Sequence, residues 1–182
     1  MAAAQEHFRR YGFNKTAVAD LAKAIGLSTA YIYKFFDSKQ AIGEAVCGMC
    51  LGGIQSNLHK IASEPVSAAE RLRAVFEAVA RESSAIFFQD RKMHDIVAAA
   101  IAERWQATAD HDRTLQAIVR NLVAEGRAQG EFERKTPMDE TCRAIMLVMR
   151  SLAHPTLLEQ NLDSLDRDAT VAANLVLRSL AP

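Results

Sequence analysis

Apolar residues recur at three- and four-residue spacing through almost the whole of this chain, and no stretch alternates apolar with polar residues as a half-buried strand does. That periodicity restricts the fold to helices packed on helices. Composition agrees: the 182 residues include only eight Gly and four Pro but 32 Ala and 16 Leu, so turn-formers are scarce and strong helix formers abundant. A chain of this length buries a sizeable core, which fits one compact domain or a small module joined to a larger one. The expectation is an all-α protein of about nine helices.

Charge divides the chain in two. Lys+Arg and Asp+Glu are both 22, which excludes a globally polybasic binder of nucleic acid or membrane. Between His7 and Lys39, however, six basic residues face only two acidic ones, Asp20 and Asp37, whereas residues 47–182 carry a slight acidic excess. A short basic module therefore precedes a larger, weakly acidic one. No stretch approaches the ~18 apolar residues of a spanning helix, and the first residues lack the apolar core of an export signal. Three Cys are an odd, sparse set. These features predict a cytoplasmic protein with no membrane partner.

In the basic module the pattern predicts a helix over 2–11 ending at Gly12, a second over 17–25 capped by Thr16 and closed by Gly26, and a third of about two turns after Ser28. Two helices joined by Gly26-Leu27-Ser28 form a helix-turn-helix signal. Val18, Leu21, Ala22, Ile25, Leu27 and Ile32 are the residues expected to lock the pair together. In such a pair the second helix enters the major groove. The outward Ser28, Thr29, Tyr31 and Lys34 are then candidates for base edges or phosphates, and Thr16 and Lys39, each at a helix start, for phosphates. Thr16 and Ser28 have a second reading as plain helix caps, Tyr33 as a packed aromatic, and Lys34 as a solvated lysine.

The larger module reads as longer amphipathic helices: 39 to about 61, one opened by the capping box Ser67-Ala-Ala-Glu70, a short one over 90–103, one capped by Asp110, one starting at Thr136-Pro137, and a last over about 166–180.

The run Phe8-x3-Gly12-Phe13-x2-Thr16-x-Val18-x2-Leu21-Ala22-x2-Ile25-Gly26-Leu27-Ser28-x-Ala30-x-Ile32-Tyr33-x-Phe35-Phe36-x-Ser38-Lys39 closely resembles the DNA-binding domain of TetR/AcrR-type transcriptional regulators. The resemblance is specific over residues 4–42 and only architectural beyond. It implies a helix-turn-helix DNA-binding domain over 1–46 and a ligand-binding and dimerisation domain over 47–182. The implied protein is a homodimer, most simply a repressor, that binds a palindromic operator in double-stranded DNA and is released by a small-molecule effector. By the resemblance Tyr33 and Lys39 are phosphate anchors, and Thr29 and Tyr31 readout positions. The chain departs from the pattern at Phe35, where many relatives carry Tyr or His, and in a first helix about a turn shorter than usual. These departures support an alternative, a helical interaction protein that kept the fold but lost specific DNA binding.

A regulator of this build needs an apolar cavity, and Phe87, Phe88, Met93, His94, Trp105, Met146 and Met149 are its candidates, with ordinary core packing as the competing reading. Ile145, Val148, Met149, Leu152, Val171 and Leu175 on the last two helices are candidates for an intersubunit four-helix bundle, or else for an intramolecular core. Gly43, Gly48, Gly52 and Gly53 fall inside one predicted helix. Each costs roughly 0.5–1 kcal/mol relative to Ala, so the segment is either a soft link between modules or, at Gly48 and Gly52, a site of close helix contact. Cys47-x2-Cys50 has no second pair to complete a metal site and reads as small buried hydrophobes. No metal, cofactor or catalytic constellation is expected, so the chain does not read as an enzyme.

Overall fold

The computed structural model describes residues 1–89, 91–154, 157–158 and 162–182, with only the backbone of 87–89 and 91–95. Among the described residues there are nine α-helices and no strand: α1 (Ala2–Tyr11), α2 (Val18–Ala24), α3 (Thr29–Ile32), α4 (Lys39–Ala62), α5 (Ala68–Gln89), α6 (Arg91–Ala102), α7 (Gln106–Gln129), α8 (Met138–Ala153) and α9 (Leu165–Ser179). A single 3-10 turn, Leu162–Ser164, precedes α9. No helix among the described residues is long and apolar enough to cross a membrane.

The helices form two compact units, residues 1–53 with 86–111, and residues 54–85 with 112–182. In the first, Phe8, Val18, Leu21, Ala22 and Ile32 make the inner face of α1–α3, and Ile42, Val46, Ile96, Ala100 and Trp105 are buried with them. Ile25 and Leu27, expected in that lock, are instead 41% and 43% exposed, because the chain turns at Gly26 with φ of 68° and carries both side chains outward. Phe13 bridges two neighbours edge to face, Phe8 at 5.4 Å and Trp105 at 5.3 Å between ring centroids.

The second unit holds a continuous core from Leu58 through Leu72, Val75 and Phe76 on α5, Leu115, Val119 and Leu122 on α7, Ile145 and Met149 on α8, and Ala173 and Val176 on α9. Its caps are local and legible. Ser67 Oγ accepts from Glu70 N–H (3.1 Å) while Glu70 accepts from Ser67 N–H (3.0 Å), closing the expected capping box. The Ser67 hydroxyl, donating to Glu70 Oε2 at 2.7 Å, and then the Ser67 N–H hold the Glu70 carboxyl below its usual range. Glu131, from outside the helix, adds a second cap by accepting from the N–H groups of Ala68 and Ala69 at 3.1 and 3.0 Å.

Three expected caps are placed differently. Thr16 does not cap α2; Ala17 N–H donates instead to Asp20 Oδ2 at 3.0 Å. Asp110 lies inside α7, which starts four residues earlier because Glu44 accepts from the N–H groups of Gln106 (2.5 Å) and Ala107 (3.4 Å). Pro137, rather than Thr136, is the N-cap of α8.

Candidate nucleic-acid interface

α3 is short, but its ends are well determined. Ser28 is its N-cap: the backbone there is extended, and Ser28 Oγ accepts from Tyr31 N–H at 3.1 Å. Ile32, 7% exposed, pins the helix to the inner face. The opposite side is open: Tyr31 is 44% and Tyr33 48% exposed, and Lys34 and Ser28 are exposed as well. Thr29 is half-buried. The ammonium of Lys34 stands 5.8 Å from the centre of the Tyr31 ring, a cation held over an aromatic face.

The predicted residues thus separate. Ser28, Thr29, Tyr31, Tyr33 and Lys34 stand together along α3 and the turn that continues it. Tyr33 is not a packed aromatic, and Ser28 does serve as a cap. Thr16 is buried at 3% exposure, its hydroxyl donating to the Gly12 carbonyl at 2.8 Å. It therefore fixes the entry into α2 from inside the fold. Lys39 is half-buried: its Nζ donates to the Asn14 carbonyl at 3.3 Å and lies 4.7 Å from the centre of the Phe13 ring, which ties the start of α4 to the loop after α1. Ser38 caps that helix by accepting from Ala41 N–H at 3.0 Å.

Sequence reasoning missed Phe35 as part of this surface. Its ring is 65% exposed and meets Tyr31 edge to face at 5.3 Å. The available signal was its spacing, four residues beyond Tyr31 on the same helical face.

The pocket and interface candidates are scattered. Met146 and Met149 are buried in the core of the second unit, at 7% and 0% exposure. Trp105 is buried in the first unit at 2%, against Phe13, with its indole N–H donating to Glu103 at 2.8 Å. The side chains of Phe87, Phe88, Met93 and His94 lie outside the described residues. On α8, Ile145, Met149 and Leu152 are internal to the core and Val148 packs half-buried against it. On α9, Val171 and Leu175 are open to solvent at 59% and 63%, and Leu147 on α8 joins them at 58%, an exposed leucine the stripe analysis passed over.

Comparison with known proteins bears on the same two parts of the chain. Residues 1–46 match the family model for bacterial regulatory proteins of the tetR family. Residues 68–173, more than half of the chain, match the model for a tetracyclin repressor-like C-terminal domain. The chain belongs to the TetR family. No curated protein sequence matches it. Among solved structures, this TetR-family chain is similar to the regulator PfmR from Thermus thermophilus, with 25% identity, a TM-score of 0.65, and coverage of 98% of this chain and 97% of PfmR. A transcriptional regulator from Cytophaga hutchinsonii is similar in fold, with a TM-score of 0.77 at 19% identity, covering 100% of this chain and 96% of that one. So is the regulator FadR from Bacillus subtilis in complex with stearoyl-CoA, with a TM-score of 0.72 at 17% identity, covering 98% and 96%.

Proposed function

We propose that this TetR-family protein is a cytoplasmic, homodimeric transcriptional repressor that binds a palindromic operator and is released by a small-molecule effector. The observation that carries the reading is the outward side of α3 and the turn that continues it, where Thr29, Tyr31 and Lys34 stand on a helix whose N-terminus is capped and whose inner residue is buried. Residues 1–46 act as the DNA-binding domain, with Tyr33 and Lys39 as phosphate anchors. The basic excess between His7 and Lys39 supplies the sequence-independent attraction. Residues 47–182 bind the effector and pair the protomers, the exposed Leu147, Val171 and Leu175 being the apolar surface that a second copy would cover. FadR in complex with stearoyl-CoA supports a ligand-binding role for such a fold. The effector acts by changing the spacing of the two readers, through α4.

The test is selection of genomic DNA fragments by the purified protein near physiological salt, with Tyr31→Ala and Lys34→Ala alongside. A shared palindrome whose preference relaxes in Tyr31→Ala supports the reading. Recovery of no shared sequence, with salt-sensitive binding indifferent to both substitutions, favours the alternative of an interaction protein without an operator.

A further inference from the structure

The hydrogen-bonded turn of α3 does not stop at Ile32. Tyr33 N–H donates to the Thr29 carbonyl (3.1 Å), Lys34 N–H to Tyr31 (3.2 Å), and both Phe35 and Phe36 N–H to Ile32 (3.0 and 3.1 Å). The backbone therefore keeps a helical course through Phe36, which places Tyr31, Lys34 and Phe35, at positions i, i+3 and i+4, on one side. Phe35 is the most exposed large apolar or aromatic side chain among the described residues. Its ring is held at 62° to Tyr31 with centroids 5.3 Å apart, and Lys34 lies over the other aromatic of the pair.

A phenyl ring has no donor or acceptor, so it can hydrogen-bond neither a phosphate nor a polar base edge. In the major groove the base edges are polar with one exception, the C5-methyl group of thymine. An apolar ring on the DNA-facing side of α3 is desolvated on binding, and that methyl is the base feature able to reward it. The contact with Tyr31 limits the orientations of the ring before binding, so little freedom is lost when it docks. Duplex DNA is the occupant that fits this face, because Lys34 beside the aromatic pair and the basic excess of residues 7–39 complement a phosphate backbone.

Resting on the DNA-binding reading above, we propose that Phe35 is a specificity-determining residue that reads a thymine methyl group in each half-site. The experiment takes the operator recovered by selection and replaces thymine with uracil, one symmetric pair of positions at a time. That change removes the methyl and leaves every hydrogen-bonding group in place. For the wild-type protein one such pair should weaken binding about fourfold per methyl, about sixteenfold for the two half-sites. Phe35→Ala should bind the thymine and uracil duplexes equally, and Phe35→Leu, which keeps an apolar contact, should retain part of the preference. Because Phe35 is exposed, unchanged helical content and unchanged binding to non-operator DNA will show that the variants are folded. Wild-type affinity indifferent to uracil at every position overturns the inference. So does a full thymine preference persisting in Phe35→Ala, which would assign the methyl to another side chain. A wild-type protein that selects no common sequence overturns this inference together with the reading beneath it.

Discussion

Gly43 packs closely against the ring of Phe13. A methyl group on its α-carbon would stand 2.5 Å from Phe13 Cε2 and 2.8 Å from Trp105 Cη2. Both neighbours are rigid aromatic rings in a buried cluster, so neither can swing aside. Gly43→Ala should lower the unfolding free energy by about 1–3 kcal/mol through overpacking. Gly52 and Gly53 have no atom within 4 Å of such a methyl, and at Gly48 the nearest, Ala107 Cβ, is at an ordinary 3.9 Å. Close contact thus accounts for Gly43 and not for Gly48 or Gly52. Gly52→Ala should stabilise α4 by about 0.5–1 kcal/mol, and denaturant melts of the variants check both signs.

Gly53 is also where α4 passes from one compact unit to the next. If its glycines serve the effector response, Gly52→Ala combined with Gly53→Ala should keep operator affinity and blunt the release of DNA by ligand. A gel-shift titration with effector reads this out, and an unchanged response would limit the glycines to a local role.

The carboxylate of Glu44 caps α7 by accepting from Gln106 and Ala107. Glu44→Ala leaves two N–H groups at a helix start without that acceptor and should cost about 1 kcal/mol. Trp105, one residue before the cap, provides the fluorescence signal for the unfolding curve.

Burial pushes the Cys47 thiol up to about 12 from its ordinary 9.0, with the neighbouring Cys50 and Glu44 adding to the effect. In the folded chain the thiol keeps its proton at a pH where the unfolded chain has lost it. The stability it contributes is therefore complete below pH 9 and falls as the pH rises from 9 toward 12, by at most about 1.4 kcal/mol per unit. Cys47→Ala should flatten that part of the stability profile. The same burial predicts that Cys47 resists alkylation in the native protein at pH 8.

Leu175 on α9 is 63% exposed, whereas Ile145 on α8 is 2% exposed. Leu175→Glu should leave a folded protein that sediments as a monomer, whereas Ile145→Glu should unfold the second unit. A dimer that persists in Leu175→Glu would place the interface elsewhere.

The helix pattern was legible because each signal was local. The Ser67–Glu70 box, and Gly12 and Gly26, both with positive φ, mark helix ends through groups a few residues apart. Where the reading failed, a group that the helix pattern does not weigh decided the outcome, far along the chain at α7 and inside the fold at α2. Glu44 starts α7 ahead of Asp110, and the Thr16 hydroxyl turns inward to the Gly12 carbonyl instead of capping α2. The interface candidates show the same limit. A helical stripe identifies which residues are apolar, but only packing decides that Ile145, Met149 and Leu152 belong to the core while Val171 and Leu175 face solvent. Phe35 was noticed as a departure from a family pattern, yet its role on the surface depends on Tyr31 beside it, a pairing that needs the backbone course of α3.

The most direct test of the account is the ratio of operator to non-operator affinity, measured at one fixed salt concentration for the wild type, Tyr31→Ala and Leu175→Glu. The account predicts a ratio of at least about a thousand for the wild type. It predicts a collapse of that ratio in Tyr31→Ala with non-operator binding retained, and a loss of operator affinity in the monomeric Leu175→Glu. A wild-type ratio near one, or a ratio that neither substitution changes, would contradict the assignment of the α3 surface as a dimeric sequence reader.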